Sequence, residues 1–141
     1  MNIEVRYYSK GGNTKKLAMA IAEELRVKAL DLSYPVNKDT DILFLGSSVY
    51  WAGLDPEVKA YVNKLDPRKV KKIVSFSTAA IKESTYGQMK KLADKNGLNL
   101  SSEEFHCKGE FSALHKGKPD LKDIADVKRF AVNCVKNKEA K

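Results

Sequence analysis

The segment Ser9–Thr14, which reads SKGGNT, combines residue types that bind anions. Gly11 and Gly12 allow a ligand to approach the backbone closely, and the unpaired N–H groups at the start of a following helix would point at that ligand. The short polar side chains of this segment are those of Ser9, Asn13 and Thr14. The segment therefore predicts a phosphate site, and the alternative is a glycine-containing turn with an ordinary helix cap.

Three lysines, Lys10, Lys15 and Lys16, lie in or beside this segment. A cation in the first turn of a helix opposes the helix dipole by ~0.3–1 kcal/mol near the surface, and a bound phosphate would reverse that penalty. Other phosphate motifs are absent, because no glycine precedes Lys15 as in GxxxxGK[ST] and no third glycine completes GxGxxG. Neither cysteine is followed at the sixth position by arginine, which excludes a Cys-x5-Arg phosphatase loop. The lysines therefore favour a bound anion over an ordinary cap.

Aromatic residues follow two of the strands that the sequence predicts. Tyr50 and Trp51 come just after a buried strand, and Tyr86 comes after another. Planar rings at adjacent strand ends can sandwich a planar ligand, and a flavin has the right shape. Trp51 is the only tryptophan and is followed by Ala52 and Gly53, whose small size lets the backbone approach a ring edge. The alternative is that the aromatics cover the upper edge of the core, and for Tyr86 both interpretations stay open.

A metal site is not predicted. His106, Cys107 and His115 could suggest one, but the first two are neighbours on opposite faces of a strand and no fourth ligand is evident. Cys134 lies on the apolar stripe of the last helix and is expected in the core, and Cys107 is expected to be buried near a strand end. The acidic metal pocket of response regulators is missing from the strand ends.

Hydrophobic periodicity predicts the elements that must position these residues. The predicted strands are Ile3–Tyr8, Ala29–Leu32, Asp41–Ser47, Lys72–Thr78 and Glu104–Lys108. The first predicted helix has its apolar positions from Thr14 to Leu25, and the second has Asp55 as its cap and Pro56 as its first residue. The third helix has Ser84 or Thr85 as its cap. The fourth begins near Pro119, and its inner face runs from Leu121 to Val135. The run from Asp41 to Ser47 is expected to be buried on both faces.

Five strands that alternate with four helices predict an α/β fold. Parallel strands require crossover connections, so the expected architecture is a three-layer, doubly wound, five-stranded parallel sheet with helices on both sides. One domain over residues 1–141 is expected from the length. Glu4 and Arg6 share a face of the first strand, and we expect them either to pair with each other or to lie on a poorly covered face.

Composition restricts the class of protein further. Apolar residues make up 43% and charged residues 31% of the chain, which predicts a folded globule rather than disorder. No apolar stretch reaches the roughly 18 residues of a membrane span, and no secretory signal is evident, so a cytoplasmic location with reduced thiols is expected. The net charge of +8 favours acidic partners or ligands that carry phosphate.

Several of these segments resemble the flavodoxin family. The family's phosphate signature is matched in spacing by Val5, Tyr7, Ser9, Gly12, Thr14, Ala18 and Ile21, with Arg6 where an apolar residue is usual. SSVYWAG at Ser47–Gly53 is similar to the family's second flavin loop, and ESTYG at Glu83–Gly87 is similar to its third. Phe105–Phe130 is also similar to bacterial single-domain flavodoxin-like proteins, so the resemblance spans nearly the whole chain.

The resemblance implies the strand order 2-1-3-4-5 and FMN as the cofactor, bound beyond the carboxyl ends of the strands, a rule that flavodoxin itself commonly illustrates. It also implies that a peptide near Gly53 can turn to hydrogen-bond the reduced flavin, because glycine makes positive φ accessible. No side chain is expected to act as a catalytic acid or base. The residues expected to bind FMN are Ser9, Lys10, Gly11, Gly12, Asn13, Thr14, Ser48, Val49, Tyr50, Trp51, Ala52, Gly53, Thr78, Ala79 and Tyr86.

The leading functional hypothesis is an FMN protein that carries electrons between redox partner proteins with acidic docking surfaces. A positive charge ~10 Å from the ring would favour anionic reduced flavin by ~0.4–1.7 kcal/mol, which predicts a less reducing flavin than in acidic relatives. One alternative is an FMN-dependent oxidoreductase that acts on a quinone-like or porphyrin-like substrate. The other is a flavin-free basic binding module for nucleic acid, which is disfavoured because the chain has no recognition motif and its lysines are scattered over several helices.

Overall fold

The structure is a computed structural model, and it describes residues 1–49, 53–79, 85–110 and 116–139. The strands are β1 (Ile3–Tyr7), β2 (Ala29–Asp31), β3 (Ile42–Val49), β4 (Ile73–Ala79) and β5 (Leu100–Lys108). The helices are α1 (Asn13–Leu25), α2 (Pro56–Lys64), α3 (Tyr86–Lys95) and α4 (Leu121–Glu139). All nine predicted elements are therefore present, in the predicted order.

The five strands form one sheet in the order β2-β1-β3-β4-β5, and each neighbouring pair is parallel. Apolar residues of α1 and α4 pack on one face of this sheet, together with Val5, Phe44 and Phe76. Apolar residues of α2 and α3 pack on the other face, together with Leu43 and Leu45. The prediction of a three-layer, doubly wound α/β fold is confirmed.

Strand β3 lies between the two cores. The sequence predicted burial from Asp41 to Ser47, and the structure buries Ile42 to Ser48 and leaves Asp41 partly exposed. Ile42 and Phe44 belong to the core under α1 and α4, whereas Leu43 and Leu45 belong to the core under α2 and α3. Because helices cover both faces at this position, the strand has no solvent-facing side and its sequence is continuously apolar rather than alternating.

Strand β5 begins at Leu100, earlier than the Glu104 that the sequence predicted. Leu100 pairs with Ile73 and Glu104 pairs with Ser75, so the register shifts between these two pairs. Residues 101–103 of this irregular stretch are two serines and a glutamate. These polar residues interrupt the hydrophobic pattern, so the pattern does not predict the first part of the strand. β3 also runs two residues further than predicted, to Val49.

The helix starts agree with the sequence in part. Asp55 Oδ1 accepts a hydrogen bond of 2.9 Å from the N–H of Glu57, so the predicted cap of α2 is confirmed. Thr85 occupies the cap position of α3, but its buried hydroxyl has no partner among the described residues. Leu121 is 88% exposed and packs on neither core, so the inner face of α4 begins at Ile124 instead. None of the helices in the described ranges is long and apolar enough to cross a membrane.

Arg6 is a buried cation in β1, only 4% exposed. Its Nη2 lies 2.8 Å from Glu4 Oε1, so the expected pairing of these two residues is confirmed. The same guanidinium donates to the carbonyl oxygens of Tyr34 at 2.9 Å and Pro35 at 3.1 Å. Arg6 therefore holds the chain segment after β2 against the sheet, and a face that looked poorly covered from the sequence is closed by a hydrogen-bonded charge.

Candidate functional site

The chain leaves β1 and β3 in opposite directions. β1 leads into α1 on one face and then to the edge strand β2, whereas β3 leads through α2 on the other face to β4. Connections that diverge in this way leave a crevice above the carboxyl ends of the two strands. The loops that begin at residues 8, 50 and 80 all start from this edge of the sheet.

The loop between β1 and α1 presents unused backbone donors. Gly12 has a φ of 90° and caps α1 in the left-handed conformation, which glycine adopts without strain. Its own N–H donates to Ser9 Oγ at 3.0 Å, which holds the loop in a tight turn. Within the described part of the chain, the N–H groups of Gly11, Asn13, Thr14 and Lys15 donate to no protein group. Four amide donors are thus available at the N-terminus of one helix.

The polar side chains of this loop bind other parts of the protein. Asn13 Nδ2 donates to the carbonyl oxygen of Glu110 at 2.8 Å and so ties the loop to the segment after β5. Thr14 is fully buried, and its hydroxyl lies 2.8 Å from Ser48 Oγ and 2.9 Å from Thr78 Oγ1. The sequence suggested these side chains as ligand contacts, whereas their observed contacts shape the loop, because buried hydroxyls require partners.

The loop after β3 contains the tyrosine, tryptophan and alanine predicted at positions 50–52, which lie outside the described residues. Gly53, which follows them, is buried and has a φ of 87°. The N–H of the next residue, Leu54, donates to Gln88 Oε1 at 2.7 Å. Sequence reasoning missed Gln88, because it is a single polar residue in a helix and nothing in the sequence links it to a loop 34 positions earlier.

The end of β4 supplies Thr78 and Ala79, both buried. The carbonyl oxygen of Ala79 accepts a hydrogen bond of 3.0 Å from the N–H of Gly109, so β4 and β5 remain joined at the edge of the crevice. Tyr86 has a different position: its hydroxyl donates to the carbonyl oxygen of Ser101 at 2.8 Å, and its ring packs against the core under α2 and α3. These contacts favour the core-covering interpretation of Tyr86 over ring stacking.

A family model described as a flavodoxin domain matches residues 5–141 of this chain. The chain belongs to the flavodoxin family. At the level of the family, membership implies a flavin cofactor and electron transfer. A search of curated proteins finds no match.

Solved structures show the same fold at low sequence identity. A flavodoxin from the domain Archaea superposes with a TM-score of 0.79 at 18% identity, covering 99% of both chains. Oxidised flavodoxin 2 from Bacillus cereus superposes with a TM-score of 0.71 at 17% identity, covering 97% of this chain and 99% of that chain. Rubredoxin oxygen:oxidoreductase from Desulfovibrio gigas superposes with a TM-score of 0.72 at 18% identity, and 99% of this chain matches 37% of that longer chain.

The loop between β1 and α1 of this flavodoxin is basic. The first turn of α1 contains no acidic residue. Lys15 and Lys16 are exposed and form no ion pair with any described residue. Lys10 Nζ lies 3.5 Å from Asp55 Oδ2, and the lysine side chain is 57% exposed. The positive end of the helix dipole and these cations add to each other, so the loop carries a positive potential that Asp55 offsets in part at Lys10.

The donors of this loop fit the phosphate of a flavin mononucleotide. A phosphate presents oxygen acceptors, and the loop presents four unused N–H donors at the positive end of a helix. A carboxylate in the first turn of α1 would repel the anion, and none is present there. The fit concerns the phosphate, since the two aromatic residues expected to contact the ring, Tyr50 and Trp51, lie outside the described residues.

The remaining predicted chemical groups have ordinary environments. Cys107 is half-buried, and burial, followed by the nearby carboxylate of Asp123, raises the pKa of its thiol to about 12. Cys134 is buried in the core as predicted. His106 Nδ1 lies 2.9 Å from Glu104 Oε1, whereas His115 lies outside the described residues. Over the described ranges, no three His, Cys, Asp or Glu side chains are placed to hold a metal ion.

Proposed function

We propose that this flavodoxin binds FMN and carries electrons between redox partner proteins. The observation that carries the proposal is the set of four unused amide donors at the start of α1, in a turn with lysines and without acids. Bound FMN would supply one- and two-electron transfer, chemistry that no side chain supplies. The protein's part is to hold the phosphate, orient the ring and exclude water from it.

The proposed division of work follows the loops. The N–H groups of Gly11, Asn13, Thr14 and Lys15 bind the phosphate, and Ser9 and Gly12 give the turn its shape. The ring lies beyond the carboxyl ends of β3 and β4, against residues 48–53 and 78–79, with Trp51 and Tyr50 as the aromatic contacts. Thr78 and Ala79 contribute through their backbone, because the hydroxyl of Thr78 is already bonded to Thr14. Tyr86 is left out of the ring contacts.

We also propose that the partner proteins dock with acidic surfaces. The net charge of +8 favours such partners in general, and long-range attraction accelerates their encounter. Beside Gly12, helices α1 and α4 enclose a groove of about 530 Å³ that is lined by Lys15, Lys16 and the 51% exposed Met19. One similar structure has a name that describes an oxidoreductase of rubredoxin and oxygen, which supports a role for this fold in electron transfer between proteins.

Calorimetry of the apoprotein with FMN and with riboflavin tests the proposal. FMN should bind and quench the fluorescence of the single tryptophan, and riboflavin should bind at least tenfold more weakly, because it lacks the phosphate that the amides hold. Failure of the wild-type protein to bind FMN would overturn the proposal.

A matched pair of charge reversals separates the phosphate site from general electrostatics. Lys16→Glu places a negative charge at the start of α1, whereas Lys95→Glu makes the same change at the far end of α3. At ~7 Å from a phosphate, the first change should weaken FMN binding by about 1–2 kcal/mol, which is roughly five- to thirtyfold. The second should leave the affinity within about twofold. Equal effects of the two variants would contradict a phosphate at α1.

A further inference from the structure

Helices α2 and α3 pack side by side on one face of the sheet and enclose a surface groove of about 280 Å³. Leu54 is buried and Leu92 is half-buried, so these two leucines form the floor of the groove. The rim is formed by the exposed lysines Lys59, Lys91 and Lys95. The methylene stems of the lysines add apolar surface to that of the leucines. The groove is therefore apolar in its depth and cationic at its edge.

Hydrogen bonds between the two helical segments fix this groove near both ends. At the end of the helices, Asn96 Nδ2 donates to Asn63 Oδ1 at 2.9 Å. Near their start, the backbone N–H of Leu54 donates to Gln88 Oε1 at 2.7 Å. A groove that is already held in shape loses less conformational freedom on binding than one that must first open. The structure thus presents the leucines and the lysines in a preformed arrangement.

The positive charge of the rim is not compensated within the described part of the chain. Lys59, Lys91 and Lys95 form no ion pair with any residue there. The carboxylate that α3 contains, that of Asp94, already lies 2.9 Å from Lys90 Nζ. Lys91 and Lys95 are also four positions apart on one helix, a spacing at which like charges repel. A ligand that brings carboxylates to the rim would relieve this repulsion.

The spacing of the rim charges matches an acidic helix. Four positions along α3 correspond to a rise of about 6 Å, so two carboxylates at i and i+4 of a second helix could face Lys91 and Lys95 together. A large apolar side chain on the adjoining stripe of that helix would then lie over Leu92, as in other helix-in-groove complexes. A lipid surface is a poorer match, because Leu54 is only 3% exposed and the recessed floor cannot insert between headgroups.

We propose that the groove between α2 and α3 is a docking site for an acidic amphipathic helix of a partner protein. The carboxylates of that helix pair with Lys59, Lys91 and Lys95. Its apolar face packs against Leu92 and the lysine stems. The site lies on the opposite face of the sheet from the groove between α1 and α4. The inference does not depend on the proposed binding of FMN.

Titration of the isotope-labelled full chain with a peptide, followed by NMR with and without added FMN, tests the inference. The peptide is a helix of about 14 residues with leucines at i, i+3, i+4 and i+7 and glutamates at the other positions. The backbone amide signals of Lys59, Lys91 and Leu92 should shift, whereas those of Met19 and Lys128 in the other groove should not. A peptide with serines in place of the leucines should bind at least tenfold more weakly, because it buries no apolar side chain.

A matched pair of double variants measures the contribution of the rim lysines. Lys91→Gln combined with Lys95→Gln removes two charges from the rim. Lys28→Gln combined with Lys136→Gln removes two charges from exposed positions outside the groove. The first pair of changes should weaken binding of the leucine peptide by about three- to tenfold, and the second by less than about twofold.

Three results would overturn the inference. They are equal effects of the two double variants, signal shifts confined to the groove between α1 and α4, and no shifts at about 1 mM peptide. Vesicles of phosphatidylserine that shift the amides of the groove when the peptide does not would also overturn it and would assign this surface to lipid. Failure of the chain to bind FMN would remove the proposed function and leave this inference standing, because the peptide titration is also carried out without FMN.

Discussion

Replacement of Thr14 by valine should destabilise the apoprotein. The change removes a hydroxyl and keeps the shape of the side chain, which is fully buried between α1 and the sheet. That hydroxyl donates to the carbonyl oxygen of Ser47 at 3.1 Å and lies within hydrogen-bond distance of Ser48 Oγ and Thr78 Oγ1. Its removal therefore breaks the polar link between the phosphate loop and the ends of β3 and β4.

The expected loss of stability follows from the hydrogen bonds that the partners of Thr14 lose. In the described ranges Thr78 Oγ1 has no other hydrogen bond, so it would be left buried and unsatisfied at a cost of about 1–3 kcal/mol. Ser48 Oγ keeps a longer contact of 3.4 Å to the carbonyl oxygen of Tyr8, so its loss is smaller, about 0.5–1.5 kcal/mol. The expected loss for Thr14→Val is therefore about 2–4 kcal/mol.

The matched control is Thr14→Ser, which keeps the hydroxyl and removes the Cγ2 methyl that lies over Gly46. Loss of one buried methyl should cost about 1 kcal/mol. Urea unfolding of the two apoproteins, with unchanged m-values, measures both effects. If the valine variant is as stable as the wild type, or if the serine variant loses more stability than the valine variant, the hydroxyl network is not what holds the loop.

Three other predictions concern the rest of the chain. Gly46→Ala would place a Cβ against the buried ring of Phe76 and should cost about 1–3 kcal/mol, whereas Gly87→Ala, in open space within α3, should stabilise by about 0.5–1 kcal/mol. Urea unfolding that ranks the two variants otherwise would contradict the packing. Arg6→Met should cost about 3 kcal/mol in the same assay, because the partly buried Glu4 keeps only its 3.6 Å contact with Lys38 among the described ion pairs and the carbonyl of Pro35 loses its Arg6 donor. A loss below about 1 kcal/mol would argue against a structural role. Burial raises the pKa of the Cys107 thiol to about 12, so its reaction with a maleimide at pH 8 should be at least tenfold slower in the native protein than in urea. The reaction rate of the native protein should increase as the pH rises towards 12. Rapid labelling of the native protein at pH 8 would refute this expectation.

The arrangement of the elements follows from local patterns in the chain. The alternation of apolar β-branched runs with helical spacing predicts parallel strands joined by crossovers, and the sheet is parallel throughout. The order β2-β1-β3-β4-β5 agrees with what the resemblance to the flavodoxin family implied. The cap at Asp55 and the continuous burial of β3 were also predictable, because each depends on neighbours in sequence. The turn before α1, which we propose as the phosphate site, could be located in the same way, since glycines, lysines and a helix start coincide within a few residues.

Other features depend on contacts that the sequence does not display. β5 starts at Leu100 because a register shift accommodates polar residues, and a period-2 pattern has no signal for such a shift. The hydroxyl of Tyr86 is directed to Ser101 by the packing of α3, although its place after a strand suggested a role in the ligand site.

The difference between what the sequence determines and what only the tertiary structure determines has a physical basis. Backbone geometry within one element is set by steric and hydrogen-bonding preferences over a few residues, so the sequence by itself determined the order of strands and helices along the chain and the location of the glycine turn before α1. The bonds of Thr14 to Thr78, 64 positions away, and of Leu54 to Gln88, 34 positions away, exist only once two crossovers have packed on the sheet. Only the tertiary structure could decide that the side chains of the turn hold the protein together while its backbone amides remain available for a ligand.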